Sequence, residues 1–159
     1  MSVPVTIRPA TEPELDRIAR IWDESWHSTG IPSPEVLSHS QLRDRLVEFI
    51  RSGADLYVIE HDQDVAGMMV LDPISSKLSQ LFLTPTFQRR GLGTACLAFA
   101  KTALPGGFTL MVAEANRAAQ EFYAAAGLAQ EARIFRAEYK RHDLRFRWAP
   151  ESAKKNPAP

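Results

Sequence analysis

The sequence predicts an α+β fold: a mixed, mostly antiparallel central sheet of about seven strands with helices on both faces. Three observations carry that reading. Hydrophobic periodicity gives the element order β-α-α-β-β-β-α-β-α-β-β. Short turns join the early strands into antiparallel neighbours, whereas a helix separates the strands on either side of Gly91–Gly93, which makes those two parallel. At 159 residues the chain forms one domain. Residues 1–150 supply it, and the polar, proline-containing stretch 151–159 reads as a frayed or disordered tail.

In order, Val3, Val5 and Ile7 alternate along Val3 to Arg8, the pattern of a half-buried strand. Thr11 reads as an N-cap, and Glu14 completes a capping box. Leu15, Ile18, Ala19, Trp22 and Trp26 then form one stripe of a helix that fades at Ser28-Thr29-Gly30. Ser33-Pro34-Glu35 predicts a second helix start, with proline at the first helical position. Leu42, Leu46, Phe49 and Ile50 mark the inner face of a helical stretch closed by Ser52-Gly53. Ala54 to Glu60 and Val65 to Leu71 flank the turn His61 to Asp64 and form a hairpin. Gly67 within the second strand marks a bulge or a close backbone approach. Lys77 to Leu83 is the next strand, and Pro85 ends its ladder. Leu92, Ala95, Cys96, Phe99, Ala100 and Ala103 then step along one helix face until Leu104-Pro105-Gly106-Gly107. Phe108 to Ala113 is so apolar that it predicts a central strand covered on both faces. The helix after Asn116 buries Ala119, Phe122, Tyr123 and Ala126 and stops at Gly127. Strands at about Gln130 to Arg136 and Leu144 to Trp148 close the domain.

Chemistry concentrates between Leu81 and Gly93. A strand, a tight glycine turn and a helix N-terminus make an anion site, because orphan amides point outward and the helix dipole favours negative charge. Glycine lets the backbone approach a ligand, and Arg89 and Arg90 add charge-assisted bonds to phosphate. A Walker loop is absent. The dinucleotide fingerprint needs a third glycine where Cys96 stands, although Glu114 lies near the spacing of its ribose-binding carboxylate. The pattern Gln/Arg-x-x-Gly-x-Gly/Ala is met in full by Gln88-Arg89-Arg90-Gly91-Leu92-Gly93. Downstream, Asn116 to Gly127 reads Asn-Arg-Ala-Ala-Gln-Glu-Phe-Tyr-Ala-Ala-Ala-Gly. These two stretches resemble the acetyl-CoA loop and the Asn-x-x-Ala-x-x-Phe-Tyr helix of the GCN5-related N-acetyltransferase (GNAT) family. The element order is similar to that family's from Val3 to Trp148.

The resemblance implies an enzyme that moves an acetyl group from acetyl-CoA to a primary amine of a small molecule or peptide, by direct attack in a ternary complex. It implies a splayed strand pair at the CoA site, where the pantetheine arm bonds the backbone of Leu81 and Leu83. Further cofactor contacts fall to Gln88, Arg89, Arg90, Gly91, Leu92, Gly93 and Thr94, with Asn116 and Tyr123. The Leu83 amide is assigned to the developing oxyanion, and Tyr123 to protonation of the departing thiolate. An unperturbed tyrosine, with a pKa of about 10, keeps that proton at neutral pH. A core aromatic at Tyr123 and a plain helix cap at Asn116 are the structural alternatives. Many relatives place a glutamate on the strand before the loop, where this chain has Lys77-Leu-Ser-Gln80. Glu114, Glu24, His27 and a chain of ordered waters are therefore the candidate bases. For the acceptor, Trp22, Trp26 and the loop Ser28 to Ser33 form one wall, and Glu138, Tyr139 and Lys140 the other. Trp26, His27 and Tyr139 are the residues expected to touch it.

Composition narrows the partners. Basic and acidic side chains both number 19, so no general affinity for nucleic acid is expected. The lone Cys96 cannot form an internal disulfide, which suits a reducing cytoplasm. No apolar run approaches the roughly 20 residues of a membrane span. None of the four histidines shows metal-ligand spacing, so no metal is expected. A monomer or a homodimer is the expected assembly. The rival reading from another class is a non-catalytic acyl-CoA-binding regulatory domain. A nicotinamide dehydrogenase, which needs a second domain, does not fit the length.

Overall fold

The computed structural model describes residues 4–33 and 36–152. Its elements are β1 (Val5–Pro9), α1 (Leu15–Ser28), α2 (His39–Arg51), β2 (Asp55–His61), β3 (Asp64–Asp72), β4 (Lys77–Leu83), α3 (Leu92–Ala103), β5 (Phe108–Ala113), α4 (Arg117–Ala125), β6 (Ala129–Arg136) and β7 (Arg141–Trp148). The strands form one sheet in the order β1-β2-β3-β4-β5-β7-β6. Every neighbouring pair is antiparallel except β4–β5, which is parallel. No helix among the described residues is long and apolar enough to cross a membrane.

Local chemistry explains the joints. The Thr11 amide and hydroxyl both donate to Glu14 Oε1 at 2.9 Å, the capping box read from the sequence. A short 3-10 turn at Glu12–Glu14 then runs into α1. Between β2 and β3, Asp62 and Gln63 take φ of 50° and 69° while His61 pairs with Asp64. Two left-handed residues in a two-residue turn match the right-handed strand twist. At Gly67 a Cβ would sit 2.2 Å from the Phe82 carbonyl oxygen, and the β2–β3 register shifts nearby, between Ile59 and Glu60. Both features read for that glycine are therefore present.

The sheet separates two apolar layers. Leu81 and Leu83 turn toward α3 and α4, with Leu92, Cys96, Leu97, Phe108 and Tyr123. Phe82 turns the other way, toward α1 and α2, with Trp22, Leu42, Leu46 and Met68. Cys96 is fully buried, and burial pushes its thiol up to about 12.

Four expectations change. The helix start at Ser33-Pro34-Glu35 is displaced: Pro34 and Glu35 lie outside the described residues, and Val36–Ser38 is not helical. Ser38 is the true cap, its hydroxyl accepting from the Gln41 amide at 3.1 Å while Gln41 Oε1 accepts from the Ser38 amide at 2.8 Å. Ile50 is 46% exposed rather than on the inner face, because the buried stripe of α2 runs through Leu42 and Leu46. The two-sided covering of β5 is incomplete. Helices α1 and α2 pack over β2 to β4, which leaves Met111 37% exposed on the cleft wall, while Thr109 and Ala113 on either side of it are buried. Finally, β7 begins at Arg141, three residues earlier than expected. The expected strand position Val3 and the tail from 153 onward lie outside the described residues.

Candidate active site

Strands β4 and β5 meet at one register only, Lys77 opposite Thr109. There the Thr109 amide donates to the Ser76 carbonyl at 3.1 Å. Past that point the strands part. On the other side of β4, the Thr84 amide donates to the Ala66 carbonyl at 2.8 Å, while Leu83 lies opposite Gly67 and Leu81 opposite Met69. Bonded and non-bonded pairs alternate along an antiparallel ladder, so Leu81 and Leu83 are the non-bonded positions toward β3. Their backbone groups turn into the gap before β5. The Leu83 carbonyl bears this out, accepting from Ser25 Oγ at 3.0 Å and from Gln88 Nε2 at 3.1 Å. The gap opens into a cleft of about 1730 Å³ that runs between both faces of the sheet.

At one end of the cleft stands the glycine turn. Arg89 and Gly91 take φ of 63° and 81°, and Gly91 is the N-cap of α3. A left-handed arginine is a costly conformation of the kind that gathers at ligand sites. Gln88, Arg89, Gly91, Gly93 and Thr94 line the cleft. Arg90 does not; its guanidinium lies over the Phe87 ring, 5.5 Å from the centroid. The Leu92 side chain is fully buried, so only its backbone can serve a ligand. Gly93 has a second reason to be glycine: a Cβ there would stand 2.8 Å from Phe122 Cζ.

Tyr123 lines the cleft from α4, packed beside Phe122 and Phe146 at centroid distances of 5.3 and 6.3 Å. No described residue hydrogen-bonds its hydroxyl. Burial, and secondarily the nearness of Cys96, raises its pKa well above the ordinary tyrosine value. The phenol therefore keeps its proton and is able to donate it. Asn116 caps α4, its Oδ1 accepting from the Ala119 amide at 3.2 Å, and it also lines the cleft.

Glu114 does not join this group. Its carboxylate is exposed, bonded by Arg133 Nε and, at 3.1 Å, Arg133 Nη2, and is outside the cleft lining. The Arg133 bond lowers its pKa, which makes it a poorer base. Glu24 is exposed and also outside the lining. His27 lines the cleft, with Nδ1 at 2.8 Å from the Asp23 carbonyl oxygen of its own helix. Among the described residues, the carboxylates that line it are Asp23 and Asp143, and both are engaged: Asp23 by His27 and His39, each at 3.0 Å, and Asp143 by Arg136 and Arg141.

On the far wall, Trp26 and Tyr139 line the cleft, whereas Glu138 and Lys140 do not. Glu138 instead accepts from Arg136 Nε at 2.8 Å. Between the two rings stands Arg141, which the sequence reading missed along with Asp143. A signal existed: Arg141, Asp143, Arg145 and Arg147 alternate with His142, Leu144, Phe146 and Trp148, which extends the strand back to Arg141.

The profile of the acetyltransferase (GNAT) family matches residues 15–128. No curated protein sequence matches the chain. Among solved structures, it is similar to YjaB of Escherichia coli at 24% identity, covering 92% of this chain and 99% of that one, with a TM-score of 0.69. The spermidine N-acetyltransferase of Vibrio cholerae in complex with CoA and spermine is 20% identical, with coverage of 92% and 96% and a TM-score of 0.69. A Salmonella typhimurium acetyl transferase that modifies the N-terminal serine of ribosomal protein L7/L12 is 19% identical, with coverage of 93% and 96% and a TM-score of 0.74.

Proposed function

The chain belongs to the acetyltransferase (GNAT) family, and from that premise we propose that it transfers an acetyl group from acetyl-CoA to a primary amine by direct attack in a ternary complex. The observation that carries this reading is the gap between β4 and β5, with the backbone of Leu81 and Leu83 turned into it. Strand groups turned away from their own ladder, here the backbone of Leu81 and the amide of Leu83, are what an extended pantetheine arm requires. The left-handed turn at Arg89 and Gly91, feeding the start of α3, suits a pyrophosphate at the end of that arm. When bound, acetyl-CoA supplies an acyl group activated as a thioester.

The chain's own residues then divide the work. The Leu83 amide faces the gap and donates to an oxygen gathering negative charge; Ser25 and Gln88 hold the carbonyl of the same residue in place. Tyr123 holds a proton on its phenol oxygen and gives it to a leaving sulfur. With Glu114 on the surface and both cleft carboxylates engaged by side-chain partners, the amine loses its proton to ordered water. A small-molecule or peptide amine, in a monomer or homodimer of a cytoplasmic enzyme, completes the proposal. The regulatory alternative draws on the missing strand glutamate, and a water relay removes the need for one.

The test is a turnover screen with acetyl-CoA across amino acids, polyamines such as spermidine, simple amines and peptide N-termini, read by release of free thiol. Thiol release that depends on an amine supports the proposal. Tight CoA binding by calorimetry with no turnover on any amine class would favour the regulatory domain.

A further inference from the structure

The cleft wall across from Leu83 carries a guanidinium held ready for a planar anion. Arg141 Nε donates to Asp143 Oδ1 at 2.9 Å. The Asp143 side chain is 4% exposed, a buried charge that requires partners, and Arg136 Nη1 is its other one at 3.4 Å. Arg141 Cζ lies 4.9 Å from the Trp26 ring centroid and 4.8 Å from that of Tyr139. One edge of the guanidinium is thus fixed by a buried carboxylate, and two rings flank it. Among the described residues, nothing accepts a hydrogen bond from its Nη1 or Nη2, and the side chain lines the cleft. A fork restrained in this way has given up most of its rotamer freedom before a ligand arrives.

Its position is that of an acceptor-binding group. Trp26 follows Ser25, whose hydroxyl is bonded to the Leu83 carbonyl. Asp143 is in register with Ala113, the last residue of β5. Arg141 therefore stands at the open end of the gap, on the α1 side of the sheet and away from the glycine turn. Glu131 is shared by Arg145 Nε and Arg147 Nε at 2.7 Å each, while Glu138 and Asp143 stand against Arg136 and Arg141. These side chains leave the wall with a net positive charge of about one, and the unused fork of Arg141 facing the cleft matches a single carboxylate better than a dianionic phosphate or a polycation.

We propose that Arg141 is the recognition residue for a carboxylate on the acceptor, so that the substrates are amino acids or related amines carrying a carboxylate near the reacting nitrogen. This rests on the amine-acetylation reading above, and it sets the acceptor class apart from polyamines.

The experiment uses the full chain saturated with CoA. Calorimetry titrates N-acetylated α-, β- and γ-amino acids, their carboxamides and N-acetylspermidine as product analogues, and kcat/KM is measured for the parent amines. At least one carboxylate form should bind tenfold or more tighter than its carboxamide, with the same order in kcat/KM. Arg141→Ala should erase that difference while CoA affinity stays within twofold. Because Arg141→Ala leaves Asp143 short of a partner, Arg141→Lys is the second variant; it keeps the charge, loses the fork, and should retain only part of the preference. Carboxamides or the polyamine analogue binding as well as every carboxylate form would overturn the clamp. So would a carboxylate preference that survives in both variants, or CoA binding with no carboxylate probe bound. Failure of the wild-type chain to bind CoA is a different result, since it removes the acetyltransferase reading itself.

Discussion

The two ends of the cleft are built from different materials. At the α3 end the groups on offer are mostly backbone: Leu81 and Leu83 facing the gap, the left-handed turn at Arg89 and Gly91, and the amides that open α3. At the β7 end they are side chains, Trp26, Tyr139, Arg141 and Asp143, drawn from α1, the β6–β7 turn and β7. A site made of backbone constrains a short contiguous stretch, since only certain residues permit its turn. A site made of side chains constrains scattered positions and leaves any one of them free to change with the substrate. The first end can therefore serve a cosubstrate common to a whole family, and the second can set what this chain accepts.

The largest expected effect attacks the backbone end. Gly93→Asp should abolish measurable CoA binding, a loss beyond 100-fold by calorimetry, roughly 3 kcal/mol or more. Two causes act together: a carboxylate where pyrophosphate is expected, and a Cβ 2.8 Å from the Phe122 ring, which packs on Tyr123. Gly93→Ala separates them by keeping only the second. If Gly93→Asp folds by circular dichroism and binds CoA like wild type, the glycine turn is not the anion site.

Tyr123 sits between the two ends, and its removal should act on chemistry alone. Tyr123→Phe keeps the ring that packs beside Phe122 and Phe146, so the fold and the CoA affinity should hold. Turnover should fall about 10²-fold, the lower end for loss of a general acid. Because burial raises the phenol's pKa, wild type should show no alkaline loss of kcat as pH rises to the ordinary tyrosine range. Equal kcat in both proteins, with chemistry shown to limit the rate, would make Tyr123 an ordinary core aromatic.

The same contrast explains what the sequence disclosed. The fold was legible because strands and helices announce themselves by period, and the glycine stretch because a tight turn restricts composition. The apolar run Phe108 to Ala113 hid one exception for a physical reason: Met111 is exposed on the cleft wall, and apolar side chains suit a ligand wall as well as a core. Glu114 stands apart from the cleft because proximity in sequence to the end of β5 says nothing of Arg133, nineteen residues on, which bonds its carboxylate. The alternation through Arg141 and Asp143 marks a strand but not a site, since what makes them a site is the approach of Trp26 from a helix at the other end of the chain.

Within the backbone end, the two arginines should differ. Arg89 lines the cleft and Arg90 covers Phe87. Arg89→Ala should weaken CoA by about 1.5–3 kcal/mol, the range for a hydrogen bond to a charged group. That loss should shrink as salt is added. Arg90→Ala should cost CoA binding less than about 0.5 kcal/mol, as for surface substitutions away from a site. Equal losses in the two variants would mean that Arg90 leaves the Phe87 ring when ligand binds.

The smallest effect is expected at Glu114. Its carboxylate is exposed, held by Arg133 and lowered in pKa by that bond, and it lies outside the cleft lining. A base must reach the proton it takes and must gain by taking it. Here the lowered pKa makes the carboxylate reluctant, and its position gives the acceptor no access. Glu114→Gln should therefore leave kcat and KM within about twofold, in line with surface changes worth under about 0.5 kcal/mol. The pH profile gives the sharper comparison. If water and the amine's own titration govern proton loss, kcat/KM should rise with pH along the same curve in both proteins and follow the acceptor's pKa as the acceptor is varied. A drop in kcat of tenfold or more in Glu114→Gln, with the acidic limb of the profile removed, would return Glu114 to the reaction and require Arg133 to release it when substrates bind.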